Sequence, residues 1–249
     1  MKPLSLSGSA FLVTGSAQGI GLGAARGLPE SEADVVFHGH TARPPDITES
    51  ESYLTGDLLD SATPADLIAA DFDAQPDLDL LVCNAGSFFD LPFLDMNVEA
   101  WDRPQNLNVR STYFTVQAFA PEMVARQRSG AVVITASING SQAELDSSAG
   151  DTSKGALVMM TRTLAPHGLR VNGIAPGMIR TPLTACWLDA QPARRELYEQ
   201  RTLLNRIGTA EDCAGAVTFL PSPSSGYVTG PVITTNGGMS ISQIGNLKL

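Results

Sequence analysis

The chain has 249 residues, 43% hydrophobic and 17% charged, enough to bury one large core and too rich in short apolar runs for a disordered or fibrous protein. Its formal net charge of −10 disfavours phosphate backbones and anionic lipid, so nucleic acid and membrane surfaces are not expected partners. Cys83, Cys186 and Cys213 lack CxxC spacing, which argues against a disulfide framework or zinc site; with no metal, no leader-like segment and no run of roughly 18 apolar residues, a cytoplasmic protein is expected.

Taken in chain order, the first strand-like run, residues 10–13, ends in Thr14-Gly15-Ser16-Ala17-Gln18-Gly19-Ile20-Gly21 and leads into a predicted helix over 20–28. A strand over 35–37 is followed by Gly39, His40 and Arg43, a helix over 64–72, and a strand over 78–83 that ends in Asn84-Ala85-Gly86. A long helix over 101–125 carries Asn108, and a strand over 132–135 is followed by Ser137. The next helix, 153–165, opens with Lys154, and the strand 171–174 leads into Pro176-Gly177, Ile179 and Thr181. Residues 182–206, with Trp187 and Tyr198, are helical in pattern but interrupt the alternation, reading equally as a flap over a cleft or as a packed insertion. A helix over 211–220 and a strand over 232–234 close the pattern. This βαβα alternation predicts one α/β domain over 1–249, a doubly wound, Rossmann-like parallel sheet with helices on both faces.

The glycine turn after the first strand could cradle a pyrophosphate on a helix N-terminus, or could simply be a tight turn; alone it favours neither. Lys154 is the sole internal lysine, Lys2 and Lys248 being the others, and a positive charge at the start of a helix has little structural reason to be there. Ser137, by contrast, reads on its own as a serine capping the turn after a strand.

In register, these motifs resemble the short-chain dehydrogenase/reductase family over about residues 6–239. The resemblance implies that Gly15, Gly19 and Gly21, with Gln18 and Ile20 between them, form the phosphate turn of a nicotinamide dinucleotide site, that Asp57 meets the adenine, and that Asn84 and Gly86 line the floor. It implies that Ser137 binds the substrate oxygen, Lys154 holds the nicotinamide ribose, Asn108 organises a proton route behind the lysine, and Pro176, Gly177, Ile179 and Thr181 position the carboxamide. A homo-oligomer, dimer or tetramer, is implied as well.

The pattern breaks at one place. The family's proton-transferring tyrosine stands four residues before this lysine, where the chain has Gly150; none of Tyr53, Tyr113, Tyr198 and Tyr227 has a lysine four residues on. Loss of a positioned acid–base group costs roughly 10²–10⁴ in rate, so cofactor binding without efficient turnover is expected. Glu144, Asp146 and Asp151 are the carboxylates that could substitute, although loop carboxylates are more often solvated. The stretch from Lys154 to Asn172 is also about one helical turn shorter than the family's, which bears on the subunit contact, and Pro29 and Glu32 should weaken the end of the first helix.

Gly39 stands where NAD-selective members carry a carboxylate, so NADP is favoured over NAD, with His40 and Arg43 nearby and Gly39→Asp expected to reverse the preference; His38 and His40 could equally just flank a strand end. The function expected is an impaired oxidoreductase of a small-molecule ketone or secondary alcohol. The alternatives are a catalytically silent cofactor-binding protein and a non-redox cyclase, dehydratase or isomerase on the same scaffold.

Overall fold

β1 (Ala10–Val13) is four apolar residues, all buried, and a run apolar on both sides needs cover on both faces. It has that cover near the centre of a seven-stranded sheet in the order β3-β2-β1-β4-β5-β6-β7, every pairing parallel. Here β2 is Asp34–Gly39, β3 Ser52–Thr55, β4 Leu78–Cys83, β5 Ala131–Thr135, β6 Arg170–Pro176 and β7 Val232–Thr235. The computed structural model describes residues 4–28, 33–88, 90–165 and 169–241; Pro29 and Glu32 lie outside them.

The helices are α1 (Gly19–Gly27), α2 (Thr63–Ala74), α3 (Val98–Pro104), α4 (Ser111–Ala125), α5 (Ser148–Leu164), α6 (Pro182–Ala190), α7 (Pro192–Arg201) and α8 (Glu211–Phe219). Alternation along β1 divides the core into two layers. Leu12 packs with Phe119 and Met123 of α4 and Leu157 of α5, whereas Phe11 and Val13 pack with Ala24 of α1 and Val217 of α8. The chain runs outward from β1 to β3, then returns to place β4 on the other side of β1. Where strand order reverses, the carboxyl ends of β1 and β4 part and open the crevice in which such sheets bind ligands.

Three elements differ from the sequence reading. β3 was not foreseen, because Ser-Tyr-Leu-Thr is a short edge strand with no apolar run and partly exposed side chains. The helix expected over 101–125 starts at Val98, with the Asn97 side chain accepting from Ala100 N–H at 2.9 Å, and is interrupted by a π-helical stretch, Gln105–Arg110. Pro104 immediately before it has no N–H to give to the preceding turn, and a wider turn accommodates that loss.

The third difference is α5, which begins at Ser148, so Lys154 lies in its second turn and the helix-dipole argument made for it does not apply. Ser-Ala-Gly-Asp-Thr-Ser is a weak helix-forming run, and its start is secured from outside. The Asp90 carboxylate, in the loop after β4, accepts from Gly150 N–H at 3.0 Å and from the Ser147 hydroxyl at 3.0 Å. Residues 182–206 hold two helices, α6 and α7, each opening with the proline that a first helical position tolerates.

Candidate active site

At the carboxyl end of β1 the backbone turns through Gly15 with φ +64, and a Cβ there would lie 2.7 Å from Ala85 Cα, so only glycine fits. Gly21 is equally constrained: a Cβ would strike the Asn84 amide and stand 2.9 Å from the Gly15 carbonyl carbon. Asn84 earns its place by clamping this turn, its Nδ2 donating to the carbonyls of Thr14 and Gly15 at 3.2 and 3.1 Å, while Thr14 Oγ1 accepts from the N–H groups of Asn84 and Ala85. Gln18 and Ile20 complete the turn, and Gly19 lies against Thr181, at the start of α6. Gly177 bonds back to β7 through Thr235 O at 3.1 Å, and Ile179 is buried in the core beside α1 and α8.

Four strand ends away from β3, the second group of predicted residues gathers. Asn108, fully buried in the π-helical stretch, donates from Nδ2 to Ser87 O and Ser153 Oγ, both at 2.8 Å, and accepts from Ser87 N–H at 2.9 Å. Ser153 in turn donates to Gly150 O at 2.6 Å, so a continuous network joins the β4 loop to α5 at position 150. With both Nδ2 hydrogens donated and Oδ1 accepting from Ser87, the Asn108 side chain braces the site from the π-helical stretch. A Cβ on Gly86 would sit 2.9 Å from Asn108 Oδ1 and 3.7 Å from Lys154 Nζ, which places the three residues together.

The Lys154 ammonium donates to Thr135 O at 3.2 Å, and burial pulls it down to about 8. Ser137 Oγ accepts from Asn139 N–H at 3.1 Å, the capping role foreseen for an ordinary turn serine.

This constellation agrees with the comparisons. The family model described as enoyl-(acyl carrier protein) reductase matches residues 15–240. L-rhamnose 1-dehydrogenase (NAD(P)(+)) of Sphingomonas sp. (strain SKA58) is 35% identical, the match covering 95% of this chain and 98% of that protein. The chain belongs to the short-chain dehydrogenase/reductase family. Gluconate 5-dehydrogenase of Gluconobacter oxydans (strain 621H) is 33% identical over 96% of this chain and 97% of its own. The crystal structure of a gluconate 5-dehydrogenase from Burkholderia cenocepacia J2315 in complex with NADP and tartrate superposes with a TM-score of 0.89 at 27% identity, covering 96% of this chain and 98% of that one.

In this short-chain dehydrogenase/reductase, position 150 faces a carboxylate that sequence reasoning missed. A Cβ at Gly150 would lie 3.0 and 3.1 Å from the two oxygens of Asp90 and 3.1 Å from Ser147 Oγ. Asp90 is 60 residues away in the chain, so no local pattern could have named it. Two of the carboxylates that sequence did name are occupied elsewhere: Asp151 accepts from Asn139 Nδ2 and Glu144 N–H, both at 2.8 Å, and Glu144 accepts from the Tyr198 hydroxyl at 3.1 Å and pairs with Arg194 at 3.4 Å. Glu144 thus ties α7 to the loop that follows Ser137. Asp146, the third, adopts the left-handed φ of +56 in that loop.

Towards β2, Arg43 Nη1 donates to the carbonyls of Thr48 and Glu51, each at 2.6 Å, its guanidinium lies over the Tyr53 ring, and His40 is exposed. Asp57, also exposed, uses Oδ1 to accept from Leu59 N–H at 2.9 Å. Near the turn, Arg26 pairs with Glu51, and Arg180 forms a two-point pair with Asp189 at 2.9 and 2.8 Å. An anion at the glycine turn would therefore be met chiefly by backbone N–H groups and the α1 dipole.

Proposed function

We propose that the chain binds a nicotinamide dinucleotide, NADP(H) ahead of NAD(H), beside a small polyhydroxylated substrate of the sugar or sugar-acid class, and that its turnover is impaired at Gly150. The residues fit the nucleotide: the Gly15–Gly21 turn is a cradle that a single Cβ would fill, and it opens onto a helix N-terminus. The sugar class is supported by the rhamnose and gluconate dehydrogenases among the relatives.

When bound, the nicotinamide supplies or takes the hydride. Lys154 holds the ribose hydroxyls with its ammonium, Thr181 and the Pro176–Gly177 turn border the nicotinamide side, Asp57 and His40 the adenosine side, and the Ser137 hydroxyl orients the substrate oxygen. α6 and α7, with Trp187 and Tyr198, form a flap anchored through Glu144. The observation that carries the reading is the retention of Ser137, Asn108 and Lys154 around a residue without a side chain. A second reading, a cofactor-binding protein without turnover, draws support from Asp90, whose carboxylate stands at the root of the missing phenol.

Thermal-shift titration with NADPH and NADH tests the nucleotide. A ligand at a hundredfold excess over Kd stabilises the fold by about 2.7 kcal/mol, so a clear rise in Tm is expected, larger for NADPH at equal concentration. No shift with either nucleotide contradicts the proposal.

A further inference from the structure

His38 is 2% exposed in β2, and every polar atom it carries is bonded to a segment that borders the nucleotide cleft. Its main-chain N–H donates to Ser16 Oγ at 2.8 Å, and its carbonyl accepts from Ser16 N–H at 2.8 Å. Its ring Nδ1 accepts from Gly15 N–H at 3.1 Å, and ring Nε2 lies 3.1 Å from Gly56 O, one residue before Asp57.

These partners fix the state of the ring. A backbone N–H can only donate and a carbonyl can only accept, so Nδ1 must be bare and Nε2 must carry the proton. An imidazolium would turn Nδ1–H against Gly15 N–H, and burial, against the pull of the Gly56 carbonyl and with a small push from His40 just beyond β2, holds the ring neutral by lowering it to about 4.

Gly15 begins the phosphate turn and Gly56 ends the β3 connection, two segments about 40 residues apart in sequence that the single ring bridges across β2. Resting on the nucleotide reading above, we infer that His38 is a positioning residue for the dinucleotide: its neutral Nε2–H imidazole sets the distance between the turn that receives the pyrophosphate and the strand end that receives the adenosine. Without the ring, the half-buried Gly15 N–H loses its acceptor, and the turn must shift or take up water to satisfy it.

The test compares the unsubstituted protein with His38→Leu and His38→Asn in calorimetric titrations with NADPH and NADH, alongside Tm. His38→Leu is expected to bind both nucleotides about ten- to a hundredfold more weakly. His38→Asn should recover part of that loss, because Asn carries an acceptor oxygen on Cγ where the imidazole carries Nδ1. A general loss of packing would not distinguish these variants in that order.

Nitrogen-15 spectra of the unsubstituted protein at pH 7.5 supply a readout that needs no variant to fold. The His38 ring, one of three histidines, should show a protonated Nε2 and a bare Nδ1. A proton on Nδ1, or affinities in His38→Leu equal to the parent's, overturns the inference. Failure of the parent to bind either nucleotide overturns the nucleotide reading, and this role with it; binding by the parent with no effect of His38→Leu overturns this role alone.

Discussion

Asp71 gives the fold a pH dependence that can be traced to one side chain. It is fully buried on the core-facing stripe of α2, with Leu67 and Ile68, and neither carboxylate oxygen has a partner among the described residues. Burial pushes it up from 3.8 to about 7. A carboxyl raised in the folded state binds a proton that the unfolded chain has already released, so its neutral form leaves stability intact below about pH 4. Stability then falls as pH rises towards 7, by on the order of 4 kcal/mol once the group ionises. His38, lowered to about 4, contributes an opposite rise over the same range in any variant that keeps it, so the test is the difference: urea denaturation from pH 5 to 8 should show the parent losing stability relative to Asp71→Asn as pH rises. Parallel profiles would mean that Asp71 finds a partner or water.

Residue chemistry also marks what the sequence could reveal. The glycine turn was legible because glycine alone lacks Cβ, and Ser137, Gly150 and Lys154 because their spacing lies within one strand–loop–helix segment. Asp90 and His38 were not, since a contact across 60 residues and a ring orientation inside a sheet leave no periodic trace.

Among the elements, the edge formed by β2 and β3 changes one expectation. Sequence reasoning offers Gly39→Asp as the substitution that reverses nucleotide preference. In the structure a Cβ at 39 would strike the Tyr53 hydroxyl and approach Ala17 Cβ to 2.9 Å. Tyr53 comes from β3, the strand that the sequence did not announce, and its hydroxyl is held by donation to Thr41 O at 2.9 Å. Gly39→Asp alone should therefore weaken both NADPH and NADH, and Tyr53→Phe, which removes the nearest obstacle though not Ala17 Cβ, should recover part of the binding and shift preference towards NADH. Paired titrations of the single and double variants check this; a clean reversal by the single change would show that Tyr53 moves aside freely.

α5 teaches a related lesson. Its Ser- and Gly-rich first turn lacks the propensity to announce a helix, and a trans cap from Asp90 starts it five residues before the expected position. Removing that cap in Asp90→Ala should cost about 1 kcal/mol of stability, measured by urea unfolding, with no loss if the Ser147 and Gly150 bonds are replaced by water.

At the scale of the whole molecule, the sheet's reversal of direction at β1 and β4 gathers Gly15, Asn84, Ser137 and Lys154 from four separate stretches of chain. Doubly wound topology was readable from the alternation of apolar runs, whereas the β3 edge and the π-helical stretch needed the third dimension. On the proposed reading, the assembled site sets the Ser137 hydroxyl and the Lys154 ammonium around Gly150, a position without a side chain to move a proton. The most direct measurement is a paired assay of the parent and Gly150→Tyr, both checked for folding by circular dichroism, with NADP and NAD across a panel of sugars and sugar acids. The Asp90 carboxylate must yield by a few tenths of an ångström to admit the new Cβ, which a flexible side chain can do. A gain of about 10²–10⁴ in hydride transfer is expected for Gly150→Tyr. A parent that already turns over as fast as this variant would contradict it, because the site would then possess another proton donor.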